Sequence, residues 1–351
     1  MKRSRGNTVG ILICILILCT TLGGCGPSET GRQASGGEAE RKIRIGMSFD
    51  SLVIERWQKD RDAFVATAEE LGADVEIAIA NGSVEKQNAQ IADFVKDKMD
   101  VIVIVPTDCE KISEAVRKAK DKGVKIISYD RLIRDAGVDL YISFDNEEIG
   151  RMMAGALIES VPENGSIAAV FGPDTDGNAA MVEKGFNEVI AEIGLKVIYK
   201  TYAEKWLAEK AFDAVVEALD TAGSFDGIVC GNDNLAGYAV KALSEHRLAG
   251  KVSVAGQDGD LDACQRIVEG TQTVTVYKPV EELAEKAARY AVMLAADGTI
   301  EADETIFDGK QAVPYEKLAP IAVTKENIEE VIIDGGVHLR EDVYLNMPKG
   351  Q

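Results

Sequence analysis

The sequence has few residues of the kinds that carry enzymatic or metal chemistry. Histidine occurs only twice in 351 residues, as His246 and His338. There is no G-x-S-x-G, H-E-x-x-H or G-x-x-x-x-G-K-[ST] motif. Residues 174–178 begin like a calcium-binding loop, but the glycine is the fourth residue instead of the sixth. We therefore expect neither an enzyme nor a metalloprotein, and we interpret His246 as a solvated residue at a helix end.

Positive charge is also scarce. The chain has 39 lysine and arginine residues against 59 aspartate and glutamate residues, which gives a net charge of -20 and a pI of about 4.6. Nucleic acids and anionic membrane surfaces attract basic patches, so we expect neither as the main partner. The same charge should keep the protein soluble and monomeric.

The cysteines do not form a disulfide framework. Of the six, Cys14 and Cys19 lie in an N-terminal targeting segment and Cys25 follows it. The other three are an odd set without metal-binding spacing, which we interpret as buried or free thiols. They are Cys109, Cys230 and Cys264.

The N-terminus has the pattern of a secretory signal. Basic residues at positions 2, 3 and 5 precede an apolar run at 9–18, and Leu22-Gly23-Gly24-Cys25 follows. That last segment resembles the bacterial lipobox, which implies a lipoprotein signal peptide at 1–24, lipidation of Cys25 and a flexible tether at 25–41. The alternative is a short uncleaved membrane anchor, but the apolar run is shorter than the ~20 residues that span a bilayer.

From residue 42 onward, strands and helices alternate. Residues 101–105 are all valine or isoleucine, as expected of a strand buried on both faces, and Pro106 ends the run. The next helix stops at Gly123, and the same succession recurs after residue 166 at nearly constant spacing. The pattern predicts an α/β protein with two similar lobes, each a parallel sheet flanked by helices.

The order of these elements also predicts how the chain divides between the lobes. We expect the strand at 141–145 to make the first crossing, the strand before Pro279 the second, and residues 315–323 a third. The first lobe would then contain 42–145 and about 279–314, and the second 146–278 and about 315–340. Three such crossings form a hinge at which a few residues allow the lobes to close.

Polar and planar side chains are concentrated near the predicted strand ends, where open α/β sheets bind ligands. Carboxylates accept hydroxyl protons, arginine, lysine and asparagine donate to hydroxyl oxygens, and tryptophan offers a flat apolar face. This combination suits a small, neutral ligand with many hydroxyl groups. The candidates are Arg56, Trp57, Asp130 and Arg131 in the first lobe, Asn146 just after the first crossing, and Asn178, Trp206, Asn232, Asp258 and Lys278 in the second lobe.

Each candidate also has a purely structural interpretation. Asp and Asn after a strand often cap a helix or form a turn. Arg131 could serve only to form an ion pair with Asp130, and either tryptophan could be a packing residue. The occurrence of these residues at equivalent strand ends of two repeats favours a binding site.

Several longer segments resemble one family. Five segments are similar to motifs of D-xylose-binding proteins of bacterial ABC importers. They are residues 54–62, 129–131, 141–146, 256–258 and 270–279, and they include Tyr129-Asp130-Arg131 and Gly256-Gln257-Asp258. The resemblance covers about 42–334. It implies the type I periplasmic-binding-protein fold, with a sugar in the cleft in contact with the candidate residues. It further implies a membrane permease with a separate ATPase as the partner, and no cofactor.

We therefore predict an extracytoplasmic, lipid-anchored protein that binds an aldose, D-xylose above all, and delivers it to an ABC permease. A sensor that reports the sugar to a chemoreceptor or kinase would share these features, and glucose, arabinose or ribose are alternative ligands. An enzyme acting on a sugar would need a catalytic constellation that the sequence lacks. A transcription repressor of this fold would need a helix-turn-helix where the signal segment lies.

Overall fold

The computed structural model describes residues 41–52, 56–302 and 304–348. The predicted signal peptide (1–24), Cys25 and nearly all of the predicted tether (25–41) lie outside the described residues. In the part of the chain that is described, none of the helices combines the length and apolar character of a membrane span.

The first lobe is built on a mostly parallel sheet. Its strands are β1 (Arg44–Phe49), β2 (Asp74–Ile79), β3 (Val101–Ile104), β4 (Lys125–Tyr129), β5 (Leu140–Phe144), β11 (Glu304–Phe307) and β12 (Ala312–Leu318). Among the described residues they form a seven-stranded sheet in the order β11-β12-β5-β4-β3-β1-β2. β3 and β5 consist entirely of buried residues, as expected of strands covered on both faces.

Helices flank this sheet because their apolar sides need a surface to pack on. They are α1 (Arg56–Glu70), α2 (Val84–Lys96), α3 (Ser113–Lys120) and α9 (Val280–Ala295). α2 begins after Ser83, whose hydroxyl accepts a hydrogen bond from the backbone N–H of Lys86. α1 and α9 contribute Phe64 and Leu283 to a common buried core.

The second lobe repeats this arrangement. Its strands are β6 (Ser166–Phe171), β7 (Lys196–Tyr202), β8 (Gly227–Cys230), β9 (Ser253–Asp258), β10 (Val274–Tyr277) and β13 (Ile321–Val323). The described residues give the strand order β13-β10-β9-β8-β6-β7. The helices are α4 (Asn146–Ser160), α5 (Gly177–Ile193), α6 (Glu209–Ala222), α7 (Asp233–Glu245), α8 (Leu261–Glu269) and α10 (Arg340–Val343).

The prediction of two α/β lobes is confirmed, but neither sheet is wholly parallel. β11 pairs antiparallel with β12, and β13 pairs antiparallel with β10. The chain passes between the sheets after β5, after β10 and after β12. The structure places the third crossing between Leu318 and Ile321, inside the predicted crossing at 315–323 but after the predicted lobe boundary at about residue 315. The reason is that the end of β12 pairs with β5, with Tyr315 opposite Tyr141 and Leu318 opposite Phe144.

Candidate functional site

The residues that follow the strands of both sheets line one cleft of about 1820 Å³. Asp50 follows β1, Pro106 lies after β3, and Pro173 lies after β6. This is the edge at which open α/β sheets bind ligands, because neighbouring strand ends and helix starts converge there. The sequence-predicted residues that line the cleft are Arg131, Asn178, Trp206 and Asn232.

The other candidates are more deeply buried. Arg56, Asp258 and Lys278 border a cavity of about 20 Å³, which has room for about one water molecule. Asp130 and Asn146 are each 5% exposed. These groups are therefore covered by neighbouring side chains in this structure.

Trp57 is placed differently from the sequence-based expectation of a ligand contact. It is only 2% exposed and packs edge-on against Phe49 in the core, with ring centroids 6.4 Å apart. The guanidinium carbon of Arg56 lies 4.3 Å from the centre of its ring. Trp57 thus supports Arg56 through a cation–π contact.

In the first lobe, buried charges are paired. Arg56 Nη1 lies 2.9 Å from Oδ2 of Asp130, and Nη2 lies 3.2 Å from Oδ1 of Asp60. The hydroxyl of Tyr129 donates to the same Asp60 oxygen at 2.5 Å. Burial favours the neutral form of Asp130, but the attraction of Arg56, Lys278 and Arg131 outweighs it and lowers the pKa of Asp130. Buried charges are stable only when paired in this way.

The second lobe contributes a matching ion pair. Lys278 Nζ lies 2.6 Å from Oδ1 of Asp258, and both side chains are about nine-tenths buried. Asp258 ends β9 and Lys278 directly follows β10, so the parallel pairing of these strands brings the two side chains together. Asp258 also attracts Arg56 of the first lobe. The acid and base groups of the two lobes therefore form one electrostatic cluster.

Hydrogen bonds and an ion pair join the lobes at the candidate site. Asn178 Nδ2 donates to the backbone oxygen of Asp130 at 2.9 Å and to its Oδ1 at 3.1 Å. Arg131 Nε lies 3.5 Å from Oδ2 of Asp176, and its Nη1 donates to Asp50 at 3.1 Å. Residues that follow strands of the two repeats thus contact each other directly.

Trp206 forms part of the cleft wall in the second lobe. Its ring lies against Gly172, where the Cβ of any other residue would collide with the indole. A Cβ at position 231 would likewise collide with the backbone of Gly172, so only glycines after β6 and β8 leave space for a flat ring. A flat aromatic wall suits the C–H face of a sugar ring.

Backbone strain coincides with the candidate residues. Asp130, Trp206 and Asp258 have φ angles of 64°, 57° and 115°, in the region that residues with a Cβ rarely adopt. Strain of this kind persists where surrounding contacts over-determine the conformation, and it is concentrated at functional sites. The three residues are therefore held in place by more than their local sequence.

Two asparagines bond to the backbone, and one of them, Asn232, has the capping role that the sequence left open. Asn232 caps α7, because its Oδ1 accepts the backbone N–H of Leu235 at 2.9 Å. Asn146 Nδ2 donates to the backbone oxygen of Phe144 at 3.2 Å. The cap uses the oxygen of Asn232 and leaves its amide nitrogen for other contacts at the cleft.

Sequence reasoning missed three acidic residues of this cluster. Asp50 and Asp176 pair with Arg131, and Asp60 pairs with Arg56. A signal was present for Asp176, since an aspartate one residue before a helix that follows a strand is a typical N-cap. For Asp60, the i, i+4 spacing to Arg56 was the available signal.

Of the cysteines and histidines, Cys109 lines the cleft and His338 borders the small cavity. Cys109, Cys230 and Cys264 are free, and burial raises the pKa of Cys109 and of Cys264 to about 12. His246 is exposed at the end of α7. Across the described ranges, no group of three or more His, Cys, Asp or Glu residues is arranged to hold a metal ion.

Two α/β lobes joined by crossings, with polar strand ends facing a common cleft, define a two-lobed solute-binding protein of type I. Comparison with known proteins supports this assignment. The family described as "Periplasmic binding protein domain" matches residues 45–299. A solved carbohydrate transporter solute-binding protein from Chloroflexus aurantiacus, in complex with D-glucose, is similar with a TM-score of 0.77 and 26% identity. The match covers 86% of this chain and 98% of that one.

Similar proteins of known sequence are more specific. The D-xylose-binding periplasmic protein of Haemophilus influenzae is 43% identical over 309 residues, which is 87% of this chain and 93% of that protein. The protein of the same description from Escherichia coli is 42% identical, over 86% of this chain and 93% of its own length.

The chain therefore belongs to the periplasmic binding protein family. Proteins of this family bind solutes outside the cytoplasm and are not enzymes, so the predictions of a binding protein and of an extracytoplasmic location are confirmed.

Proposed function

We propose that this protein captures D-xylose between its two lobes and delivers the sugar to the permease of an ABC importer. The observation that carries the proposal is the electrostatic cluster of Arg56, Asp130, Asp258 and Lys278 at opposed strand ends. Similarity at 43% and 42% identity to two D-xylose-binding periplasmic proteins supports the choice of sugar.

The charge of the cluster favours a neutral ligand. Arg56, Lys278 and Arg131 each already contact at least one carboxylate. A ligand with a carboxylate or phosphate group would have to displace an aspartate from each cation that it contacts. Hydroxyl groups can instead join the existing pairs, because they donate to a carboxylate and accept from a guanidinium or ammonium.

Calorimetric titration with a panel of pentoses and hexoses tests the proposal. We expect saturable binding of D-xylose, with weaker binding of L-arabinose, D-ribose and D-glucose. Absence of binding to every sugar of the panel would contradict a monosaccharide site. Tighter binding of another aldose would correct the ligand while leaving the class of protein unchanged.

The partners follow from the same proposal. A lipid on Cys25 would hold the protein at the membrane close to the permease, and the net charge of -20 supports a monomer. We expect Cys25→Ser to release the protein from membrane fractions or to stop its processing. Unchanged fractionation and unchanged incorporation of a labelled fatty acid would argue against lipidation. Sedimentation at increasing protein concentration tests the monomer.

A further inference from the structure

Asp176 contacts more of the candidate site than any helix cap requires. Its Oδ1 caps α5 by accepting the backbone N–H groups of Asn178 at 2.9 Å and Ala179 at 3.4 Å. Its Oδ2 accepts the indole N–H of Trp206 at 3.3 Å and lies 3.5 Å from Nε of Arg131. The side chain is about nine-tenths buried.

The two oxygens of the Asp176 carboxylate therefore have different roles. A cap needs one acceptor oxygen, and serine supplies it as well as aspartate does. The second oxygen instead holds Trp206, whose backbone is in the strained left-handed region, and reaches Arg131 in the other lobe. Arg131 lies in a buried setting that alone would lower its pKa, but Asp176, Asp50 and Asp130 outweigh burial and raise it. Asp176 is the strongest of these attractions.

We infer that Asp176 is a positioning residue of the sugar site, which fixes the indole of Trp206 and holds the lobes together through Arg131. The inference rests on the proposed function, because it assigns Asp176 a role in retaining the sugar. The contact with Arg131 exists only while the lobes are together. Its loss should therefore speed dissociation of the sugar and leave association almost unchanged, as is usual when an affinity is altered by mutation.

Two variants separate the cap from the second oxygen. Asp176→Ser keeps an acceptor for the cap and removes the oxygen that contacts Trp206 and Arg131. Asp176→Asn keeps the shape of the side chain. When its amide oxygen accepts the hydrogen bonds of the cap, its NH2 group faces the N–H donors of Trp206 and Arg131 and cannot accept from them. The matched control is Asp220→Asn, which makes the same charge change at an exposed position of α6 that does not line the cleft. Xylose affinity comes from calorimetry, and both rates come from stopped-flow tryptophan fluorescence.

We expect both Asp176 variants to weaken xylose binding about tenfold, mainly through faster dissociation, as for loss of a hydrogen bond to a charged group. Asp220→Asn should bind like the wild type. Trp206→Phe removes the indole N–H but keeps an aromatic face. If Asp176 acts through Trp206, the fold-changes of Asp176→Ser and Trp206→Phe should combine to less than their product in the double variant.

The outcomes distinguish this inference from the proposed function. If the wild type binds no aldose of the panel, the proposed function fails and the inference fails with it. If the wild type binds xylose or another aldose, the variants are compared on that sugar. Wild-type affinity in Asp176→Ser would then show that Asp176 is a cap only. An equal loss in Asp220→Asn, or a change confined to the association rate, would also overturn the inference.

Discussion

The buried pair of Asp258 and Lys278 allows a test that separates ligand binding from folding. Its charged atoms are 2.6 Å apart, and both side chains are about nine-tenths buried. Asp258→Ala leaves the ammonium group of Lys278 buried without this partner. Removal of one member of a buried ion pair costs about 3–5 kcal/mol of folding free energy, because the remaining charge stays desolvated. We therefore expect a large loss of stability in the sugar-free single variant.

The double variant Asp258→Ala/Lys278→Met removes both charges. Replacing a buried ion pair by apolar side chains is often neutral or stabilising, so most of the lost stability should return. By the proposed function, xylose binding should not return, because the sugar would lose hydrogen bonds to two charged groups. Each such bond contributes roughly 1.5–3 kcal/mol, so the affinity should fall at least about tenfold.

Urea unfolding without sugar and calorimetric titration with xylose measure the two effects separately. Asp74→Ala is the matched control for unfolding, because Asp74 pairs with Lys42 at the same distance of 2.6 Å but with both side chains more than half exposed. An exposed pair contributes little, so this variant should resemble the wild type. The reasoning is refuted if Asp258→Ala is as stable as Asp74→Ala, or if the double variant binds xylose like the wild type.

Three further expectations concern single groups. Trp206→Ala should weaken xylose binding through lost stacking, so the fold-change should be nearly the same at low and high salt; a strong salt dependence would point to charge instead. Because the pKa of Asp130 is lowered in the folded state, its stabilisation is present above the unfolded value of about 3.9 and is lost as the pH falls through the folded value. The difference in unfolding free energy between wild type and Asp130→Asn should thus be constant near neutral pH and shrink below about pH 4. Cys109 and Cys264, with pKa values of about 12, should react slowly with a thiol reagent at neutral pH and rapidly after denaturation; fast labelling of the native protein would contradict the raised pKa values.

The order of strands and helices was predictable because it depends on local features. Buried runs of β-branched residues such as β3, and glycines such as Gly123 and Gly194, mark strands and helix ends in the sequence itself. The end of β12 was not predictable in this way. Its last residues belong to the first sheet because they pair with β5, which is distant in sequence.

The candidate site was predictable in position but not in its contacts. A residue at the end of a predicted strand lies at the ligand-binding edge whatever its partners are, and this places Asp130, Arg131 and Asp258. The sequence does not show which side chains face them from the other lobe, so the contact of Asp176 with Arg131 was missed. Burial of Trp57 beneath Arg56 likewise depends on tertiary packing.

The late return of the chain to the first lobe determines how that lobe can fold during synthesis. β12 pairs with β5, but the whole second sheet except β13 lies between them in sequence. Until residues up to Leu318 are available, one edge of β5 has no partner strand, and an open apolar edge invites pairing with other chains. A fragment that ends before α9 should therefore aggregate and not fold as an independent lobe. Closing so long a segment also makes the first lobe slow to fold. The intervening chain loses conformational entropy before the pairing of β12 with β5 stabilises the sheet.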